Sequence, residues 1–190
     1  IKAETVEKAL EQHPDASAVF ITNPTYYGAC SDLEEISRIV HHRGKLLLVD
    51  EAHGSHFAFH HKLPVSAMRA GADMAAQSTH KTLSSMTGSS MLHVKGGRVD
   101  LEKLKFCLQL VQTTSPSHLM LASLDAARYI MERYGHMLLD ECIKYSNKAR
   151  DEINELTHFY CLGADKKGSC GIKDIDPTRI TICLRGGGIS

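Results

Sequence analysis

The sequence has no apolar run approaching the roughly 20 residues that cross a bilayer, which excludes a helical membrane span. It has no excess charge of either sign. Lys+Arg and Asp+Glu are both 22, for a formal net charge of zero. A nucleic-acid partner needs a basic surface to neutralise phosphates, and the composition offers none. Cys-x-x-Cys pairs are absent. The six cysteines (Cys30, Cys107, Cys142, Cys161, Cys170 and Cys183) are scattered, which reads as reduced thiols of a cytoplasmic protein. Cys161 and Cys170 fit no common zinc spacing. No secretory signal pattern, internal repeat or low-complexity segment occurs. An initiator methionine is also missing. The chain opens at Ile1 and stops just after a strand-like run, at Gly186-Gly187-Gly188-Ile189-Ser190, so we expect a piece of a longer polypeptide.

What is present is ordinary globular composition, 43% hydrophobic and 23% charged over 190 residues, enough for a real core. Residues 4–12 read as a short helix with Val6, Ala9 and Leu10 on one side, ended by Pro14-Asp15. Ala18–Thr22 is an apolar strand stopped by Asn23-Pro24. Ser31-Asp32-Leu33-Glu34 reads as a capping box opening a helix striped by Leu33, Ile36, Ile39 and Val40, with Gly44 at its end. Leu46–Val49 is apolar throughout, as in strands buried on both faces of a parallel sheet. Further strands are expected at 74–78 and 90–94. A helix capped by Asp100 follows, then one from Ser117 to about Tyr134 and another over about 136–156. Strand, helix, strand with right-handed crossovers gives an α/β fold, a mostly parallel sheet with flanking helices. Residues 160–162 and 178–184 read as strands of a smaller C-terminal α+β part, with a linker at 163–168. The expected division is 1–156 and 157–190.

Ligands of open α/β sheets bind beyond the carboxyl ends of the strands. Three polar clusters follow three successive strands: Thr22-Asn23-Pro24, Asp50-Glu51-Ala52-His53 and Ser78-Thr79-His80-Lys81. They therefore converge on one rim. A carboxylate such as Asp50, set after four aliphatics, is partly desolvated and calls for a cationic partner. A protonated pyridine nitrogen is one. Lys81 follows two hydroxyls and an imidazole that suit a phosphate. Asp for a pyridinium, Lys for an aldehyde and hydroxyls for a phosphate together suit pyridoxal phosphate (PLP). Taken singly, each residue has a blander reading: Asp50 as a helix cap or surface charge, Lys81 as a solvated side chain.

Two rivals use the same residues. Leu-Leu-Leu-Val-Asp50-Glu51-Ala52-His53, with Ser78-Thr79 downstream, matches the Walker B segment of a DEAH-type helicase, where the Asp and Glu handle Mg²⁺ and water. Against it stand the neutral charge, Lys81 and the absence of a Gly-x-x-x-x-Gly-Lys-Ser/Thr loop. The histidines at 41, 42, 53, 56, 60 and 61 evoke a zinc or nickel site. No carboxylate or cysteine is spaced to complete one, so we expect no metal.

Thr22-Asn23-Pro24-Thr25-Tyr26-Tyr27-Gly28, Asp50-Glu51-Ala52-His53-Gly54, Ser78-Thr79-His80-Lys81 and Thr113-Thr114-Ser115-Pro116 resemble the major domain of the bacterial Orn/Lys/Arg decarboxylases. The likeness runs over about residues 16–130. It implies a fold-type I, aspartate-aminotransferase-like PLP enzyme, and hence a PLP-dependent transferase-like major domain over 1–156. It implies that Lys81 carries the cofactor as a Schiff base, that Asp50 keeps the pyridine nitrogen protonated, and that Ala52 packs on the ring. It places His53 next to the phenolic oxygen and Ser78 and His80 on the phosphate. Lys81 or His80 would return a proton to the substrate. Thr113 and Ser115 would reach the phosphate in the neighbouring subunit, which implies a homodimer with shared sites. The substrate would be arginine, lysine or ornithine. An aminotransferase or lyase of the same fold remains the nearest rival, with Arg179 and Arg185 as candidates for a substrate carboxylate. In the family, the phosphate-cradling loop and the second ring-stacking side chain come from sequence before the present Ile1. The chain alone is therefore expected to bind PLP weakly and to lack activity.

Overall fold

The computed structural model describes residues 1–184, so Arg185 lies outside the described residues. Helix α1 (Ala3–Gln12), strand β1 (Ala18–Thr22), the short strand β2 (Ala29–Cys30), helix α2 (Leu33–His42) and strand β3 (Leu46–Asp50) come first. Strand β4 (Met74–Gln77), the single turn α3 (Thr79–Thr82), strand β5 (Met91–Val94), α4 (Leu101–Val111) and α5 (His118–Asn154) follow. The tail holds β6 (Phe159–Cys161), β7 (Asp174–Ile175) and β8 (Ile182–Leu184).

Helix α2 shows how local chemistry sets these boundaries. Its cap is Asp32, one residue later than the capping-box reading, because the Asp32 carboxylate accepts from Glu35 N at 3.2 Å. At the other end Gly44 takes φ 68°. Lys45 N donates to Val40 O at 3.1 Å and Gly44 N to His41 O at 2.9 Å, a Schellman closure that needs a residue free to adopt positive φ.

The main sheet has the order β1-β3-β4-β5. The pairs β1–β3 and β3–β4 are parallel and β4–β5 is antiparallel, so the mostly parallel α/β expectation holds. Among the described residues only one face is fully covered. Val6 and Leu10 of α1 and Leu33, Ile36, Ile39 and Val40 of α2 pack on Ile21, Leu47, Val49 and Ala75. The expectation that β3 is buried on both faces is corrected: Leu46, Leu48 and Asp50 on its other side are only half-buried. Strand β1 is an edge strand, with Phe20 68% exposed.

The two helices expected over 117–134 and 136–156 are one, α5, of 37 residues. Gly135, between the two expected ranges, does not interrupt it. Instead it lets the helix approach its neighbours: a Cβ there would stand 3.1 Å from Met131 Cε and 3.4 Å from Phe59 Cβ. Helix α5 buries Met131, Leu139 and Ile143 against Phe57, Leu63 and Cys30. The tail is tied back to this body. Strand β7 pairs with β2, and Arg150 of α5 donates to Leu162 O (2.8 Å), Pro177 O (3.1 Å) and Arg179 O (3.0 Å). No helix among the described residues is long and apolar enough to cross a membrane.

Candidate active site

Register brings the rim together. Thr22, Asp50 and Ala76 are level across β1, β3 and β4, so the chain leaves all three parallel strands at the same height. Asn23 N then donates to Asp50 O and Glu51 N to Ala76 O, both at 2.9 Å, extending the ladder by one step. The antiparallel β5 begins at this rim, with Met91 opposite Gln77. The peptide bond between Asn23 and Pro24 is cis, and Asn23 Oδ1 accepts from Ser31 N at 2.7 Å.

Asp50 is half-buried at the end of β3, and its Oδ1 accepts from Ala52 N at 3.0 Å. Lys81 is exposed on α3, and its Nζ lies 3.4 Å from His53 Nε2. Ser78 occupies the N-cap position of α3 without capping it. The ring of His80 faces Ser89 O through Nδ1 at 2.7 Å, which makes Nδ1 the protonated nitrogen. Thus Asp50, Ala52, His53, Ser78, His80 and Lys81 share one rim. Thr113 and Ser115 do not. They are exposed on the connection between α4 and α5, where Ser115 N donates to Thr113 Oγ1 at 3.1 Å.

Sequence reasoning missed how the tail enters this rim. Arg179 Nη2 lies 2.7 Å from His53 Nδ1, and its guanidinium stands 5.3 Å over the Tyr26 ring. Gly28 permits this, since a Cβ there would lie 3.0 Å from Arg179 Cβ. A cavity of about 210 Å³ opens beside Lys81, walled by His56, Asp176, Thr178, Arg179 and Cys142, and Asp50 does not line it. A larger, mainly apolar cavity of about 310 Å³ near Met68 and Met91 contains neither Asp50 nor Lys81. Burial holds the His53 imidazole below its ordinary pKa, and the Lys81 and Arg179 cations add to this while Asp50 opposes it. Burial pulls the Asp176 carboxyl up. Its bonds to His56 (3.1 Å) and Thr178 (2.7 Å) outweigh that, and it stays below the usual carboxylate range.

Glu51 is turned away from the rim. It is fully buried, with Oε1 on Ala67 N (2.6 Å) and Oε2 on Gln77 Nε2 (2.7 Å), while Gln77 Oε1 bonds His93 Nε2 (2.9 Å). The helicase reading needed this carboxylate beside a reacting water, and the fold uses it as an interior tie. Burial pushes its pKa from 4.5 to about 7. A folded-state pKa above the unfolded one favours the fold fully below pH 4.5, and that advantage is lost as pH rises through about 7. The shift corresponds to about 3 kcal/mol. Glu51→Gln is therefore expected to flatten the pH dependence of the apparent melting temperature between pH 5 and 8. A variant curve parallel to the wild type would refute this.

Away from the rim, part of the histidine-rich stretch meets α5, where His60, His61 and His136 bring one ring nitrogen each within 4.8 Å of one another. His60 and His61 stack with ring centroids 4.6 Å apart, and His136 of α5 joins them at 4.4 Å from His60. His60 Nδ1 accepts from Lys62 N at 3.2 Å, so its proton sits on Nε2, facing Asp140 Oδ1 at 3.3 Å. Lys62 Nζ already holds that carboxylate at 2.7 Å.

The family model for the Orn/Lys/Arg decarboxylase major domain matches residues 1–174. The chain belongs to the Orn/Lys/Arg decarboxylase family. It is 45% identical to an arginine decarboxylase of Halalkalibacterium halodurans over 190 residues, all of this chain and 39% of that protein. An arginine decarboxylase of Bacillus cereus is 43% identical over the same 190 residues, 41% of its length. The chain thus spans about two fifths of the length of these curated relatives. The solved constitutive lysine decarboxylase of E. coli superposes with a TM-score of 0.73 over 94% of this chain and 30% of that one, at 23% identity. Within the Orn/Lys/Arg decarboxylase family the Walker B resemblance of Leu46–His53 loses its alternative meaning.

Proposed function

We propose that the protein containing this chain is a PLP-dependent decarboxylase of a basic amino acid, with arginine the first substrate to test ahead of lysine and ornithine. The observation that carries the reading is the shared rim of Asp50 and Lys81, with His53 between Lys81 and Arg179. Membership of the family and the names of the relatives that match the whole chain support the substrate class.

The residues fit the cofactor. Asp50 commits one carboxylate oxygen to Ala52 N, and its other oxygen has no partner among the described residues. The same holds for the Ser78 hydroxyl and for His80 Nε2, which suit a phosphate. When bound, PLP supplies a ring that takes up the electron pair left as CO₂ departs. The Asp50 charge would keep a proton on the ring nitrogen. The small Ala52 side chain would leave space for a flat ring, and His53 would face its phenolic oxygen. Lys81 Nζ would hold the cofactor. Lys81 Nζ or His80 Nε2 would return the proton that replaces CO₂ on the substrate carbon, so the overall exchange balances.

Thr113 and Ser115 are assigned to the phosphate site of a second copy, in a homodimer with shared sites. The exposed side chains Phe106, Leu110 and Val111 of α4, a helix with no buried residue, favour such a partner. We assign the protein to the cytoplasm, without nucleic-acid or membrane partners, and place the start of the smaller C-terminal part at about residue 157.

Full-length protein supplied with PLP is expected to release CO₂ from arginine at least roughly tenfold faster than from lysine or ornithine, a ratio one well-fitted polar contact supplies. Amino transfer to a keto acid without CO₂ would move the assignment to an aminotransferase. Inertness toward all three amino acids would reject the proposal.

A further inference from the structure

We propose that Arg179 is a positioning residue that fixes the tautomer of His53, so that the ring presents its Nε2–H to Lys81 Nζ. The functional meaning of this arm rests on the reading of Lys81 as the cofactor-bearing lysine. The geometry does not.

A guanidinium carries five N–H donors, no acceptor, and its charge at every working pH. At 2.7 Å from Arg179 Nη2, His53 Nδ1 must therefore be the accepting nitrogen. A neutral imidazole has one N–H, so the proton lies on Nε2. That atom is 3.4 Å from Lys81 Nζ. Protonating Nδ1 would set an N–H against an N–H and a cation against a cation. An ammonium at Lys81 is donor-only as well and competes for Nε2, but its contact of 3.4 Å is much longer than the 2.7 Å bond from Arg179, which therefore sets the tautomer. Arg179 comes from the segment after β7, Lys81 from α3, and the Tyr26 ring from the loop after β1, edge-on at 5.3 Å. Asp50, three residues back, is the one anion among the described residues that acts on His53. An N–H aimed at Nζ is complementary to a lysine nitrogen bearing a lone pair, the form that attacks a carbonyl carbon.

The arm is built, not incidental. Arg179 N donates to Asp176 O at 3.2 Å, its carbonyl accepts from Arg150 Nη2 at 3.0 Å, and its guanidinium lies over Tyr26. Asp176 is itself buried against His56 and Thr178. The tail thus holds a donor-only group against a ring 126 residues away in sequence.

The test uses full-length protein labelled with ¹⁵N in its histidine rings, together with Arg179→Met, Arg179→Lys, His53→Phe and the double variant R179M/H53F. In the wild-type apoprotein, His53 is expected to show an unprotonated Nδ1 and a protonated Nε2. Arg179→Met should average the two signals, and Arg179→Lys, which still donates, should restore most of the difference. The second readout is the rate at which apoprotein takes up PLP covalently, trapped with borohydride across a pH series. Arg179→Met is expected to slow it roughly tenfold, the size of one charge-assisted hydrogen bond. In the His53→Phe background the same substitution should add nothing. A protonated Nδ1 in the wild type would overturn the proposal. So would additive effects of the two substitutions, or an Arg179→Met variant that raises only the KM for substrate, which would make Arg179 a substrate-carboxylate ligand. If the wild type takes up no PLP while the tautomer is as stated, the failure lies with the reading of Lys81.

Discussion

Lys81→Ala in the full-length protein is expected to leave no PLP attached to the polypeptide after borohydride reduction and to cut decarboxylation by roughly 10³-fold or more. The argument is one of position. Lys81 stands just after β4 on the rim where β3 ends in Asp50, and its Nζ faces a ring nitrogen of His53 at 3.4 Å. Two other lysines are engaged elsewhere: Lys62 holds Asp140 at 2.7 Å, and Lys173 holds Asp32 at 2.7 Å. Lys81 is also exposed, so its removal should change stability by no more than about 0.5 kcal/mol. A folded variant without trapped cofactor then reports chemistry and not misfolding. Retention of the cofactor's visible absorbance and its borohydride-stable link would move the attachment to another lysine and reject the site.

The rim was legible before any coordinate because apolar runs that end in polar clusters need no long-range knowledge. The level register of Thr22, Asp50 and Ala76 is what made that reasoning sound. Glu51 was legible in principle. Side chains alternate along a strand, so Glu51 shares the side of Leu47 and Val49, which point into the α1–α2 core. Reading β3 as apolar on both faces hid that parity. A glycine in a helix marks either an end or a close approach, and at Gly135 only the packed Phe59 decides between them. Arg179 was out of reach in kind. Its approach to His53 depends on β7 pairing with the two-residue strand β2 and on Arg150 binding three tail carbonyls. Neither pairing leaves a periodic trace in sequence.

Asp50→Ala is expected to lower turnover by roughly 10²–10³-fold, the scale on which removal of one preorganised electrostatic contact acts in an active site. The carboxylate does two separable things. Its Oδ1 accepts from Ala52 N at 3.0 Å and so shapes the turn that carries His53. Its charge, at the end of β3 and half shielded from water, is the part assigned to the ring nitrogen. Alanine removes both functions. Asp50→Asn keeps an oxygen for Ala52 N and removes only the charge, so it separates them. If the charge matters, the asparagine variant should fall nearly as far as the alanine variant in turnover while keeping the wild-type melting temperature and PLP stoichiometry. Were asparagine to retain near-normal turnover, the role of Asp50 would reduce to holding the turn, and the electron demand of decarboxylation would have to be met without a carboxylate on the ring nitrogen.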